Sequence, residues 1–274
     1  MIHCLLKSLV FLHDRNIMTG ISCIGSDIKI ENTLVNHAHN AHWTRHDHTA
    51  AFHRSLRRAG MLTYAYIDFD IAIMFPPDAP RSECRLPYWN SWDGTNNWAV
   101  KDTAQGEHDY DPFAFDVTLL GFQFCQSFQH LPPYAPFLAP LLDMMVTHDY
   151  KRRFTASEAL KFFEDMYPLL PEEQLQAFPP MLSHPEDHET FDRWKGLPPD
   201  LTRRWASYRE PPLPRFTRIL RYLCEYRRIR PIIIWGFTVL CTLAPLLMKP
   251  ENISQYFNLH YQTRTVGDLR IVKH

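Results

Sequence analysis

Residues 26–35 read Ser-Asp-Ile-Lys-Ile-Glu-Asn-Thr-Leu-Val, and the rest of the chain is interpreted outward from this stretch. Within it, Asp27 lies two residues before Lys29 and five residues before Asn32. A carboxylate can accept a hydroxyl proton, an ammonium group can neutralise phosphate, and an amide oxygen can hold a metal ion. The stretch therefore predicts a site for phosphate chemistry, followed by a short apolar strand.

A second carboxylate follows about thirty residues later. Residues 62–67 are rich in aromatic and β-branched side chains, which predicts a strand. This strand delivers Asp68, within the sequence Tyr66-Ile67-Asp68-Phe69-Asp70.

A histidine-rich loop separates these two segments. Its spacing suits a transition metal, but no signal of a fixed backbone brings the rings together. We expect a solvated insertion and no zinc site. The histidines are His37, His39, His42, His46, His48 and His53.

Three further patterns are helical. Leucines at helical spacing predict an amphipathic helix that ends at residues 14–17. Residues 110–121 read Tyr-Asp-Pro-Phe-Ala-Phe-Asp-Val-Thr-Leu-Leu-Gly, and the resemblance described below implies a buried helix that carries Asp116. Residues 136–166 are also expected to be helical. Within them, Arg153-Phe154-Thr155-Ala156 is followed by Glu158, which predicts a capping box on Thr155.

In this order, the motifs resemble the larger lobe of protein kinases, of the serine/threonine type. The pairing of Asp-Ile-Lys-Ile-Glu-Asn with Asp-Phe-Asp is similar to fungal kinase-like proteins. The resemblance implies that Asp27 orients and deprotonates the acceptor hydroxyl and that Lys29 steadies the transferred phosphoryl group. It implies that Asn32 and Asp68 hold the magnesium of Mg-ATP. It also implies that Asp116 accepts hydrogen bonds from the catalytic-loop backbone.

Other family features are altered or missing. Arg153 corresponds to the arginine that pairs with the glutamate of Ala-Pro-Glu, for which Glu107 is a weak substitute. About six extra residues precede Asp27, and Gly25-Ser26 stands where the family has His-Arg. Asp70 replaces the glycine of Asp-Phe-Gly.

The resemblance covers residues 1–167, without a glycine-rich loop or the phosphate-orienting lysine of the smaller lobe. We therefore expect weak or no phosphate transfer by this chain. The alternatives are a membrane-anchored pseudokinase scaffold and a helical adaptor that does not bind nucleotide.

The amino-acid composition limits the classes of partner that the sequence indicates. The net charge is −1, so bulk electrostatics do not indicate nucleic-acid binding. The six cysteines form no CxxC pair, which indicates a reducing compartment. The protein substrate or partner is not specified by the sequence.

The C-terminal part is expected to attach to a membrane. Residues 168–214 contain ten prolines and predict a linker, with brief helices at 172–178 and 190–194. Residues 215–230 predict a basic amphipathic helix, and the uncharged residues 231–248 predict one transmembrane helix.

The arginines before this span place the kinase-like part in the cytosol, and residues 249–274 form a tail. The expected fold is mainly α with a small β element. It is a kinase-like C-lobe without the N-lobe, followed by the linker and the single-pass anchor.

Overall fold

The computed structural model describes most of the chain in several stretches. These are residues 1–19, 21–22, 25–26, 28, 30–36, 52, 55–88, 108–176, 188–226, 228–236 and 239. The protein is mainly helical with few strands, which confirms the coarse fold class.

Seven α-helices carry the fold of the described residues. They are α1 (Ile2–His13), α2 (Pro112–Phe128), α3 (Leu138–Val146), α4 (Ala156–Met166), α5 (Glu172–Gln176), α6 (Pro199–Arg204) and α7 (Arg215–Glu225).

Eight short strands form four antiparallel pairs among the described residues. Strand β1 (Ile17–Met18) pairs with β6 (Ile73–Met74), and β2 (Ile21–Ser22) pairs with β3 (Gly25–Ser26). Strand β4 (Thr33–Val35) pairs with β5 (Tyr64–Tyr66), and β7 (Leu86–Pro87) pairs with β8 (Asp109–Tyr110). The strand predicted at residues 62–67 is therefore present, in shorter form, as β5.

Helix α1 is the amphipathic helix that the leucine spacing predicts. Leu5, Leu6 and Leu9 are fully buried and belong to the main hydrophobic core, while Lys7 is exposed. The helix packs mainly against α4, so the first and last helices within residues 1–166 contribute to the same core.

Helix α2 begins with an N-cap at Asp111. The Asp111 carboxylate accepts hydrogen bonds from the amides of Phe113 and Ala114, at 2.9 and 3.1 Å. Pro112 occupies the first helical turn, where its missing N–H costs nothing. The helix is buried along most of its length and packs on α3.

The contact between α2 and α3 depends on Gly121. A Cβ atom at this position would lie 2.7 Å from Val146 Cγ1 and 2.9 Å from Met145 Cβ. Gly121 therefore allows the two helices to approach more closely than alanine would.

We expect Gly121→Ala to lower the free energy of unfolding by about 1–3 kcal/mol, because the added methyl group overpacks the α2–α3 contact. Urea denaturation followed by circular dichroism measures this change. Gly236→Ala is the matched control, since a Cβ there meets nothing within 4 Å. Equal stability of the two variants would contradict the close-packing explanation.

Helix α4 carries the predicted capping box. The Glu158 amide donates to Thr155 Oγ1 at 3.2 Å, and the Thr155 amide donates back to Glu158 Oε2 at 2.8 Å. Both bonds satisfy amides that the first turn of a helix otherwise leaves without partners.

Residues 188–210, predicted as part of a linker, pack onto the helical body. Trp194, Leu197 and Trp205 are buried and belong to the main core. Residues 190–194 form turns and bends instead of the predicted short helix, and α6 lies in a region where no helix was predicted. The tryptophans supply enough apolar surface to hold this proline-rich segment in place.

The C-terminal elements differ in extent from the prediction. The basic helix α7 ends at Glu225, followed by a turn and a second helical stretch over residues 230–236. None of the helices within the described part of the chain has the length and apolar character needed to cross a bilayer. The predicted span 231–248 continues beyond the described residues, and the tail 249–274 lies outside them.

Candidate functional site

The β4–β5 pair brings the two predicted magnesium ligands to neighbouring positions. Thr33 lies opposite Tyr66 in the strand register. One step further along, the Ile67 amide donates to the Asn32 carbonyl oxygen at 2.9 Å. Asn32 accepts this hydrogen bond and Asp68 directly follows its donor. The two residues therefore have neighbouring backbones, although they are far apart in sequence.

Asp68 has an uncommon backbone conformation. Its φ of 65° lies in the left-handed region, which few residues other than glycine adopt. Its side chain is exposed, so burial does not force this geometry. Such conformations concentrate at functional sites, where the surrounding structure holds them in place.

Asn32 is buried at the end of the short 3₁₀ turn Ile30–Asn32. Its side-chain nitrogen has no hydrogen-bond partner. That nitrogen is a hydrogen-bond donor and does not bind a cation, so a metal contact from Asn32 would use its Oδ1 atom. Amide and carboxylate oxygens are ligand types that bind Mg²⁺, so the residue types of Asn32 and Asp68 fit this ion.

The predicted catalytic residues Asp27 and Lys29 lie outside the described residues. In the stretch before Asp27, β2 pairs with β3, and Ile21 lies opposite Ser26.

Asp116 anchors the end of β1 from the core of the protein. Its carboxylate accepts the Thr19 amide at 2.8 Å and the Thr19 hydroxyl at 2.5 Å. His13 Nε2 lies 3.1 Å from the same carboxylate. Asp116 has no exposed surface, which excludes the simple role of a surface charge near a helix N-terminus. The amide that Asp116 binds comes from Thr19, which directly follows β1.

Burial determines the direction of the pKa shifts around Asp116. Loss of solvation raises the pKa of the Asp116 carboxyl, while its hydrogen bonds from His13 and Thr19 act in the opposite direction. Burial also raises the pKa of Tyr66 and Tyr110, and the nearby Asp116 charge adds to both shifts. Both phenols therefore remain protonated hydrogen-bond donors at neutral pH.

Gln123 was not predicted as a functional residue. Its Oε1 accepts the Tyr66 hydroxyl at 3.2 Å, and its Nε2 donates to Thr33 Oγ1 at 3.4 Å. It therefore ties both strands of the β4–β5 pair to α2. Gln123 follows Asp116 by seven residues, which is two helical turns on the same face. That spacing on a buried helix is the sequence signal that could have identified it.

Arg153 is buried between α2 and the turn after α3. Its guanidinium donates to the Ala114 carbonyl at 3.1 Å and also to the Thr147 carbonyl. Glu107, its predicted partner, lies outside the described residues. Arg153 thus links the first turn of α2 to the loop before α4.

All six loop histidines lie outside the described residues. The described stretches contain no group of three or more histidine, cysteine, aspartate or glutamate residues placed to hold a metal ion. Asn32 and Asp68 remain the candidate pair.

A separate cleft of about 800 Å³ lies where residues 188–213 and α7 meet α2 and α3. Aromatic and charged side chains line it, including Phe122, His188 and Arg218. None of the predicted site residues belongs to its lining.

Comparison with family models, curated proteins and solved structures finds no match for this chain. The functional argument therefore depends on the residues and their geometry.

Proposed function

We propose that this chain is a protein kinase-like domain that binds Mg-ATP and has little phosphotransfer activity of its own. In this proposal Asn32 and Asp68 hold the magnesium ion, which neutralises phosphate charge when bound. Asp27 accepts the proton of the acceptor hydroxyl, and Lys29 steadies the transferred phosphoryl group.

The observation that carries the proposal is the placement of Asn32 beside Asp68 at the end of the β4–β5 pair. Two segments that are distant in sequence bring their backbones together there. The left-handed conformation of Asp68 adds to this support.

Helix α2 supports the same interpretation. Asp116 and Gln123 lie two turns apart on this helix. Asp116 holds the segment that leads toward Asp27. Gln123 holds the β4–β5 pair, at whose end Asn32 and Asp68 lie. One buried helix therefore holds the β4–β5 pair and the end of β1, from which the chain continues toward Asp27. Such preorganisation is what phosphoryl transfer requires, because positioning and charge stabilisation account for most of its catalysis.

The second candidate is a pseudokinase scaffold that does not catalyse transfer. The hairpin β2–β3 favours it, because it separates the Thr19 anchor from Asp27 by eight residues. Asp70 also adds a negative charge two residues after Asp68.

Mg-ATP is expected to raise the thermal midpoint of the chain, since a ligand that binds only the folded state stabilises it. At about 100 times Kd the gain is roughly 2.7 kcal/mol, or roughly 5–11 °C. Differential scanning fluorimetry with and without Mg²⁺ measures it. Asp68→Asn should abolish the magnesium-dependent part, whereas the matched variant Asp70→Asn should retain it. Absence of any shift at millimolar Mg-ATP would favour the scaffold.

A further inference from the structure

Helix α7 exposes much of its apolar face in the part of the chain that the structure describes. Leu220 is half-buried and Cys224 is fully buried, so this side of the helix faces the body of the protein. The other side presents Phe216, Ile219 and Tyr222, which are 64, 56 and 58% exposed. Exposed aromatic and aliphatic side chains in one row usually mark an interaction surface.

Positive charge surrounds this row. Residues 215–236 contain six arginines and one glutamate. Arg215, Arg218 and Arg228 are exposed. A partner for this face therefore carries negative charge together with an apolar layer. A second copy of the chain is disfavoured, because it would bring two arginine-rich faces together.

The exposed apolar surface continues along the chain. After α7, the helical residues 230–236 expose Ile232 and Trp235, at 67 and 68%. The sequence then runs to Met248 without a charged residue. An apolar row, flanking arginines and an apolar continuation together match the surface of a lipid bilayer.

We propose that α7 lies flat on an anionic membrane surface. Phe216, Ile219 and Tyr222 enter the boundary between headgroups and acyl chains, and Arg215 and Arg218 contact lipid phosphates. The inference concerns an interaction surface and is independent of nucleotide binding by the kinase-like part.

Hydrogen–deuterium exchange of the full chain with lipid vesicles tests this docking. The vesicles contain phosphatidylcholine alone or with about 30 mol % phosphatidylserine. With the anionic vesicles, amide exchange across residues 215–226 is expected to slow about tenfold, because membrane contact suppresses local opening. Exchange in α4 is expected to stay unchanged, since this helix packs on α1 away from the surface row.

Charge reversal separates this proposal from its alternatives. Each arginine near an anionic surface raises the partition coefficient of the protein onto the membrane on the order of fivefold. The double variant Arg215→Glu with Arg218→Glu should therefore weaken binding to anionic vesicles by at least roughly 30-fold. Lys7→Glu with Lys151→Glu makes the same change in charge at exposed sites elsewhere and should have no such effect. Unchanged α4 exchange in both variants verifies that they are folded.

Three results would overturn the proposal. They are vesicle-bound protein with unprotected α7, equal protection by neutral and anionic vesicles, and protection of α7 that grows with protein concentration in the absence of lipid. The last result would instead indicate self-association through this face.

Discussion

Asp116→Ala is expected to lower the free energy of unfolding by about 3–5 kcal/mol, because it removes a buried carboxylate from several donors at once. The Thr19 amide and hydroxyl and the His13 ring would all lose this partner inside the core. Urea denaturation followed by circular dichroism measures the loss.

Asp111→Ala is the control for this prediction. Asp111 lies on the same helix and caps it, and loss of such a cap typically costs about 1 kcal/mol. If the two variants were equally destabilised, Asp116 would not have the anchoring role inferred here.

The raised pKa of Asp116 gives the same site a pH signature. In the unfolded chain this carboxyl titrates near its ordinary value of 3.8, and burial raises the pKa in the folded protein. Stability from this group is therefore present below about pH 4 and is lost as the pH rises through the folded-state pKa. Relative to wild type, Asp116→Asn should gain stability as the pH rises above about 4, since it removes this titration.

Asp143→Ala is the second change with a large expected effect, again about 3–5 kcal/mol, because it strands a buried cation. The Asp143 carboxylate accepts Arg193 Nη1 at 2.6 Å, Trp194 Nε1 at 2.7 Å and the Glu210 amide at 2.9 Å. Only 5% of Arg193 is exposed, so water cannot replace the lost carboxylate. Limited proteolysis should then cut within residues 188–210, in addition to the loss seen by urea denaturation.

Two variants control the Asp143 prediction. Asp192→Asn disturbs an exposed ion pair with Arg209 in the same segment and should cost less than about 1 kcal/mol. Adding Arg193→Met to Asp143→Ala should recover part of the stability, because no buried charge remains. A double variant as unstable as the single one would show that packing, and not the ion pair, holds the segment.

The sequence predicted the elements that local patterns specify. The leucine spacing of α1 and the capping box on Thr155 each need only neighbouring residues to form. For the same reason, the strand that delivers Asp68 was predicted from its composition.

The remaining features depend on tertiary packing. Trp194 and Trp205 lie among prolines and charges, and only their contact with the helical core makes this segment part of the domain. Gln123 is an ordinary helical glutamine until the strands with Tyr66 and Thr33 reach it. The contact of α7 with the body of the protein through Cys224 is likewise a product of tertiary packing.

The distance along the chain between Asp143 and its partners has a consequence for synthesis on the ribosome. Glu210, which supplies the last donor to the Asp143 carboxylate, follows Asp143 by 67 residues. At about 5–20 residues per second, roughly 3–13 s therefore pass between the synthesis of these two residues. During this interval the surface that later receives Trp194 is uncovered. The nascent helical body is therefore a target for chaperones before the tryptophan-bearing segment arrives.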